Sequence, residues 1–313
     1  MAKGFTEEFV QINGLTQYFL HIANESKDVA IMLHGGPGIP NSFAAYYHQP
    51  YLDFCNVVYY DQRGAGKTQQ KSKTKPEDIS LDFLVEDLKH TIQYVKEKYN
   101  SDRVFLIGHS AGSMLGTQYI IKYPQDVAGY IGFGQMVDSL AAEKTWFPHL
   151  KEAVLNSGNK KDIKKVQKVS EDFPDLPLDE YVAVTILLTQ LEMKYGYKVN
   201  DAVEIYRKSP IMTFADGVQM VQMGAGGKIA KKLLGEVIFG CDFRATTEYQ
   251  VPVYYILGRH DEWTPSTQAA EYFETIQAPR KGLYWIEDAG HMVDTDNPKA
   301  FFAAIKEIVF DIP

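Results

Sequence analysis

The sequence contains only two cysteines, Cys55 and Cys241, among 313 residues. Neither lies in a Cys-x-x-Cys pair or in a Cys/His spacing typical of metal ligands, so no metal site is predicted. Two cysteines permit one disulfide, but two free thiols in a reducing cytoplasm are the expectation.

Long apolar runs are also missing. No stretch approaches the ~20 apolar residues of a membrane-spanning helix, and Met1–Glu8 lacks the apolar core of a signal peptide. Acidic residues outnumber basic ones, 40 to 32, which gives a net charge of −8. These features disfavour nucleic-acid and membrane partners and predict a cytoplasmic protein.

Apolar runs alternate along the chain with amphipathic helical patterns. Strands are predicted at 9–12, 17–22, 29–33, 56–60, 103–106, 127–133, 251–257 and 282–286. Helices are predicted at 79–99, 111–123, 266–276 and 297–309. This alternation indicates an α/β fold with a mostly parallel, doubly wound sheet, preceded by a hairpin that turns at Asn13-Gly14.

The alternation stops near residue 138 and resumes near residue 248. Helices without a convincing buried strand are predicted between these points, at 139–157, 160–171, 178–194, 199–208, 210–223 and 229–234. A helical block of about 110 residues is too long for a loop. The sequence therefore predicts an inserted helical cap domain, 138–247, on a core domain formed by 1–137 and 248–313. The glycine-rich run 224–227 is interpreted as a flexible turn of the cap.

A Gly-x-Ser-x-Gly pentapeptide, Gly108 to Gly112, stands between a predicted strand and a predicted helix. In this context the turn is sharp, holds Ser110 at positive φ and points the Ala111 N–H toward the space above the serine. The helix N-terminus adds positive potential there. An ordinary helix N-cap is the alternative for Ser110, but the pattern favours a nucleophile.

A serine nucleophile requires a base and a group that orients the base. Asp261 and His291 each follow a predicted strand, at the strand ends where open α/β sheets gather ligands. The chain order Ser…Asp…His is that of an α/β-hydrolase. Asp261 is favoured as the orienting acid over Asp288 and Glu262, although it could simply cap the next helix.

The oxyanion of an acyl-transfer reaction needs two N–H donors. The glycine-rich run His34 to Gly38 follows a predicted strand, and Gly36 is predicted to complement Ala111 as the second donor. A tight turn is the alternative interpretation of this run. His109, which directly precedes the serine, is predicted to line the substrate pocket.

Five segments together resemble the proline iminopeptidase group of α/β-hydrolases (peptidase family S33). They are HGGPG at 34–38, DQRGAG at 61–66, GHSAGS at 108–113, GRHD at 258–261 and GH at 290–291. The resemblance covers the core domain. It implies an α/β-hydrolase fold with a helical cap, a serine triad, no cofactor and a small-molecule or short-peptide substrate.

The resemblance also implies release of an N-terminal residue, proline by preference, with cap glutamates holding the free ammonium. Glu143 and Glu192 are candidates, since each lies in an apolar helical context where a carboxylate needs a partner. A solvated helix face is the alternative for both. The chain has Ala111 where the group usually has Trp, which leaves the peptidase specificity open.

Three functions follow from these features. The first is a serine hydrolase that forms an acyl-enzyme and acts as an aminopeptidase of the proline iminopeptidase type. The second is a carboxylesterase or lactonase with the same triad and an apolar cap pocket. The third is a non-catalytic receptor, which a complete triad disfavours. Serine at the elbow disfavours epoxide hydrolases and dehalogenases, which place Asp there. No oligomeric state is indicated.

Overall fold

The computed structural model describes residues 4–224 and 227–312. Within these ranges eight strands form one sheet in the order β1-β2-β4-β3-β5-β6-β7-β8. They are β1 (Phe5–Ile12), β2 (Leu15–Ile22), β3 (Val29–Leu33), β4 (Asn56–Tyr60), β5 (Val104–His109), β6 (Val127–Phe133), β7 (Val253–Gly258) and β8 (Lys281–Ile286). The β1–β2 and β2–β4 pairs are antiparallel and all other pairs are parallel. The prediction of a mostly parallel sheet is confirmed.

The α-helices of the described ranges pack on the sheet or lie in the long segment between β6 and β7. On the sheet are α1 (Ala45–His48), α2 (Gly66–Ser72), α3 (Leu81–Tyr99), α4 (Ala111–Lys122), α11 (Ser266–Thr275), α12 (Val293–Asp296) and α13 (Pro298–Asp311). Between β6 and β7 are α5 (Ser139–Asn156), α6 (Lys160–Val166), α7 (Leu178–Tyr195), α8 (Ala202–Arg207), α9 (Phe214–Gly224) and α10 (Lys228–Gly240). Residues 225–226 of the predicted glycine turn lie outside the described residues.

The central strands of the sheet are buried on both faces, as the continuous apolar runs predict. Every residue of β3 is buried. Because side chains alternate along a strand, Val29, Ile31 and Leu33 join one core cluster. Ala30 and Met32 join the cluster on the opposite face. Packing on both faces therefore fixes the positions of the carboxyl ends of the central strands.

Four of the segments singled out in the sequence begin at the carboxyl ends of parallel strands. The run 34–38 follows β3, Ser110 follows β5, Asp261 lies beyond β7 and His291 lies beyond β8. In parallel strands these ends meet at one edge of the sheet. The topology therefore brings the four segments to one side of the molecule.

The segment 138–247, called the insertion below, contains α5 to α10 and has a hydrophobic cluster of its own. The cluster includes Trp146, Leu150 and Val154 of α5 together with Tyr181 and Leu188 of α7. The insertion is also tied to the sheet side of the molecule, since the Glu236 carboxylate of α10 accepts a hydrogen bond from the Leu81 N–H.

Both cysteines, Cys55 and Cys241, are buried free thiols, as the sequence predicts. None of the helices in the described ranges combines the length and the apolar composition needed to cross a membrane.

Candidate active site

Ser110 occupies the sharp turn between β5 and α4. Its backbone has φ 52° and ψ −123°, the positive φ expected of a nucleophile elbow. The Ser110 N–H donates to the Phe133 carbonyl oxygen on β6 at 3.2 Å, and its own carbonyl accepts from the Ser113 N–H at 2.7 Å. These bonds hold the strained turn in place.

Close backbone packing requires the glycines around Ser110. A Cβ at Gly112 would overlap the Leu33 carbonyl oxygen, so the first turn of α4 lies directly against the end of β3. A Cβ at Gly35 would come within 2.8 Å of the Ser110 Cβ. The run 34–38 therefore packs directly on the serine, as the second half of an oxyanion hole must.

Two further loops brace that run. His34 Nε2 accepts from the Gln62 N–H at 3.0 Å, and the Gln62 side chain donates to the His34 carbonyl at 2.9 Å. Asp61 accepts from the Lys67 N–H at 2.7 Å and from the Ser42 hydroxyl at 3.0 Å. Burial lowers the pKa of His34 to about 4, so this histidine is a neutral structural group.

Asp261 and His291 are in direct contact. His291 Nδ1 lies 3.0 Å from Asp261 Oδ2. The Thr264 N–H and hydroxyl donate to the two Asp261 oxygens at 3.0 and 2.9 Å. Both side chains are buried, with 4% of Asp261 and 9% of His291 exposed. Three hydrogen bonds therefore fix the carboxylate that orients the imidazole.

The protonation of His291 reflects two opposing effects. Burial, the largest single effect, lowers its pKa, but Asp261, Glu192 and Asp294 together outweigh burial, with Asp261 contributing most. The pKa of His291 is consequently raised above its usual 6.5. Asp261 therefore favours the protonated imidazole, which suits a group that accepts and returns a proton.

His291 is connected to Ser110 through β6 and His109. Phe133, whose carbonyl oxygen accepts from the Ser110 N–H, is followed by Gly134. A Cβ at Gly134 would lie 2.9 Å from His291 Cε1. His109 stacks on Phe133 with ring centroids 4.5 Å apart, and its Nε2 lies 3.1 Å from the His291 carbonyl oxygen. Serine and histidine thus flank the same end of β6.

A cavity of about 70 Å³ opens over Ser110. Gly36, Ser110 and Ala111 line it from the sheet side. The remaining lining residues come from the insertion and from the segments after β6 and β7: Met136, Val137, Asp138, Ser139, Ala142, Glu143, Trp146, Thr185, Thr189, Leu234, Val237, Ile238, Trp263, Thr264 and Gln268. The two predicted oxyanion donors and the predicted nucleophile therefore share one mostly apolar cavity.

Glu143 is a buried acidic residue in the lining of this cavity. Its Oε1 accepts from the Tyr181 hydroxyl at 2.8 Å, whereas its Oε2 has no hydrogen-bond partner among the described residues. Burial raises the pKa of the Glu143 carboxyl to about 7, although the Tyr181 and Trp146 side chains oppose the rise. A positive charge close to this carboxylate would restore its ionised form.

Two of the predicted pocket residues lie elsewhere. His109 packs behind His291 and is absent from the cavity lining; burial, and then the charge of His291, lower its pKa well below 6.5. Glu192 lines a neighbouring cavity of about 180 Å³, together with Tyr197 and Glu262. Burial and the nearby Asp261 raise the pKa of Glu192 to about 7. Glu192 affects the site through its charge, which helps to raise the pKa of His291.

Sequence reasoning missed several residues that complete the site. Ser139 and Thr185 are buried hydroxyl residues in the cavity lining. No motif distinguishes them from other helical hydroxyl residues. Thr264 could have been found, because it stands three residues after Asp261 at a helix start, where a hydroxyl commonly bonds an acid.

Asp296 was also missed, although it links the insertion to the histidine loop. Its Oδ2 accepts from the Gly290 N–H at 2.9 Å. Its Oδ1 accepts from the N–H groups of Val199 and Asn200 at 2.8 and 3.1 Å. One buried carboxylate thus joins the residue before His291 to the α7–α8 connection.

Comparisons with known proteins agree with this architecture. A family model described as alpha/beta hydrolase fold matches residues 29–298. A proline iminopeptidase of Saccharolobus solfataricus is 31% identical over 98% of this chain and 94% of its own length. A probable aminopeptidase of Bacillus subtilis, YbaC, is 23% identical over 96% of this chain and 92% of its own length.

A solved structure shows the same fold over the whole length. The crystal structure of a proline iminopeptidase-related protein from Thermus thermophilus matches with a TM-score of 0.62 and 21% identity, covering 98% of both chains. The resemblance predicted from the five motifs is confirmed by these matches.

Proposed function

The chain belongs to the α/β-hydrolase family, and from this premise we propose that it is a serine aminopeptidase of the proline iminopeptidase type. It would release the N-terminal residue of short peptides through an acyl-enzyme. We further propose that the insertion is a cap domain that closes the substrate cavity over the nucleophile.

In the proposed mechanism Ser110 Oγ attacks the carbonyl of the N-terminal residue while His291 accepts the hydroxyl proton. Asp261 holds the imidazole in one tautomer through Nδ1 and stabilises its protonated form. The N–H groups of Gly36 and Ala111 bind the oxyanion. His291 then protonates the leaving amine, and a water molecule, activated by the same base, frees the amino acid from the serine.

The buried carboxylate of Glu143 in the cavity lining carries the assignment to an aminopeptidase. The α-ammonium of an N-terminal residue is attached to the carbon next to the scissile carbonyl. An enzyme that recognises this ammonium must therefore hold a carboxylate within the cavity that contains the nucleophile. Glu143 and Ser110 line one cavity, and a buried carboxylate favours a cationic ligand.

Turnover of matched substrates tests the proposal. Alanine and proline p-nitroanilides are compared with N-acetylalanine p-nitroanilide, which has no ammonium, and with p-nitrophenyl butyrate. We expect cleavage of the free-amine anilides, no cleavage of the acetylated one and loss of all activity in Ser110→Ala. Glu143→Gln should lower kcat/KM for free-amine substrates by about 10- to 100-fold, the effect of losing one charge-assisted hydrogen bond.

The butyrate ester serves as the internal control for Glu143→Gln, since it carries no charge for Glu143 to recognise. Its turnover should change by less than about threefold, a difference below 1 kcal/mol. Cleavage of the ester alone, with every anilide left intact, would refute the aminopeptidase and assign the protein as a carboxylesterase or lactonase.

A further inference from the structure

Two aromatic rings lie against the imidazole of His291. The ring centroids of Trp263 and His291 are 4.8 Å apart, and their planes are inclined by 40°. The ring centroids of His109 and His291 are also 4.8 Å apart, with an inclination of 45°. The proposed base is therefore supported by aromatic side chains that are not members of the triad.

The His109 ring presents no positive charge to the base. Its Nε2 lies 3.1 Å from the His291 carbonyl oxygen, and because a carbonyl oxygen only accepts, this nitrogen carries the ring proton. Burial, and then the charge of His291, lower the pKa of His109 well below 6.5, so the ring stays neutral. His109 therefore supports the imidazole without repelling its protonated form.

The indole of Trp263 is fixed from two sides. The next residue, Thr264, donates through its N–H and its hydroxyl to the Asp261 carboxylate at 3.0 and 2.9 Å, which fixes the loop that carries the indole. The indole also packs against the hydrophobic cluster of the insertion. Because Trp263 lines the cavity over Ser110 as well, one side chain contacts the insertion, the cavity and the base.

An indole can stabilise the charge of an imidazole as well as its position. The His291 ring becomes a cation when it accepts the serine proton, and a cation within about 6 Å of an indole centroid is attracted to the face of the ring. At 40° the two planes are nearer to parallel than to perpendicular. The carboxylates of Asp261, Glu192 and Asp294 also favour this cation. The indole adds to their effect without binding a proton itself.

We propose that Trp263 is a positioning residue for the base: its indole holds the His291 imidazole in place and stabilises the imidazolium that forms during acyl transfer. This inference rests on the proposed serine triad. It applies equally to a peptide and to an ester substrate, because His291 accepts the serine proton in both reactions.

The pH dependence of fluorophosphonate labelling at Ser110 tests the role of the indole, since labelling requires the neutral base but no particular substrate. Trp263→Leu and Trp263→Met remove the ring, while their apolar side chains keep the imidazole covered. We expect both variants to move the midpoint of the labelling rate to lower pH by about 0.5 to 1 unit, the size of a cation–π contribution. Above the midpoint the rate should fall about 3- to 10-fold.

Two further variants separate the aromatic face from the bulk of the side chain. Trp263→Phe retains an aromatic face and should move the midpoint by less than half as much as Trp263→Leu. Trp285→Leu is the matched control, because Trp285 is a half-buried tryptophan of β8 outside the cavity lining, and it should keep the wild-type midpoint. A merely structural role of Trp263 predicts slower labelling with an unchanged midpoint.

The inference is overturned if the midpoints of Trp263→Leu and Trp263→Met stay at the wild-type value or move to higher pH, or if Trp263→Phe moves the midpoint as far as Trp263→Leu. Failure of the wild-type protein to be labelled at Ser110 overturns the proposed serine mechanism and the role of Trp263 with it. The two failures are therefore distinguished by whether the wild-type serine is labelled.

Discussion

Asp296 provides a quantitative test of how the insertion and the histidine loop depend on each other. Its carboxylate accepts three backbone N–H bonds, from Gly290 on one side and from Val199 and Asn200 on the other. Asp296→Ala removes all three bonds. Asp296→Asn keeps one acceptor oxygen but turns an NH₂ group toward an N–H donor.

The magnitude follows from the burial of the three donors. Gly290 is buried, so its N–H would stay unpaired at a cost of about 2–3 kcal/mol. Val199 is 51% exposed and Asn200 is half-buried, so water can replace much of what they lose, at about 0.5–1 kcal/mol each. The free energy of unfolding should therefore fall by about 3–5 kcal/mol in Asp296→Ala and by about 2 kcal/mol in Asp296→Asn.

Activity should fall as well, because Gly290 directly precedes His291. A displacement of the imidazole by about 1 Å costs on the order of 100-fold in kcat. We therefore expect Asp296→Asn to lower kcat by roughly 10- to 100-fold with a smaller change in KM.

Urea unfolding followed by tryptophan fluorescence gives the stability change, and steady-state kinetics far below the Tm gives kcat. Asp288→Asn, an exposed acid in the same loop, is the matched control and should stay within about 0.5 kcal/mol of wild type. A destabilised Asp296→Asn enzyme with unchanged kcat would refute the link between this carboxylate and the base.

Four further predictions concern the site itself. Asp261→Asn should lower kcat by roughly 10⁴-fold, and its pH midpoint should move to lower pH, because burial then acts on the pKa of His291 without the opposing carboxylate. In the wild-type enzyme, kcat/KM for an ester should rise with pH through a midpoint above 6.5, since the raised pKa of His291 keeps the base protonated below it. The KM for free-amine anilides should additionally rise as the pH falls below about 7, where Glu143 becomes neutral, whereas the KM for esters should not. Gly112→Ala should destabilise the fold by about 2–3 kcal/mol in urea unfolding, because its Cβ would meet the Leu33 carbonyl oxygen, which cannot move aside by a rotamer change.

Three of the strands with continuous apolar runs could be predicted to the residue, whereas β7 begins two residues later and ends one residue later than the predicted 251–257. The bounds of β3, β4 and β6 are those expected from the sequence, because both faces of these strands are buried and the runs end where polar or glycine residues begin. β5 was predicted to end at Leu106, yet it continues to His109. Its last residues pair with β6 up to Phe133, a long-range contact that no local pattern reports.

Helix bounds in the insertion were predicted less well for a similar reason. The periodicity suggested a helix from Val199, but α8 begins at Ala202. The Asp201 side chain caps that helix by accepting from Val203 and Glu204. The N–H groups of Val199 and Asn200 are instead bonded to Asp296, almost a hundred residues later. Such a contact depends on tertiary structure.

The residues of the candidate site fall into the same two groups: those that the local sequence indicates and those whose position depends on tertiary packing. Ser110, Asp261 and His291 could be proposed because each follows a strand in a recognisable motif. Glu143 could be proposed from its apolar context. Glu192 has a similar context but faces a different cavity, since its orientation depends on how α7 packs.

The central claim is that Ser110 is the nucleophile of this hydrolase, and covalent labelling tests it most directly. The protein is treated with a fluorophosphonate, digested and mapped by mass spectrometry, with the Ser110→Ala variant in parallel. The account predicts one modified peptide, labelled at Ser110, and neither label nor turnover in the variant. A label on another residue, or undiminished turnover by a folded Ser110→Ala protein, would contradict it.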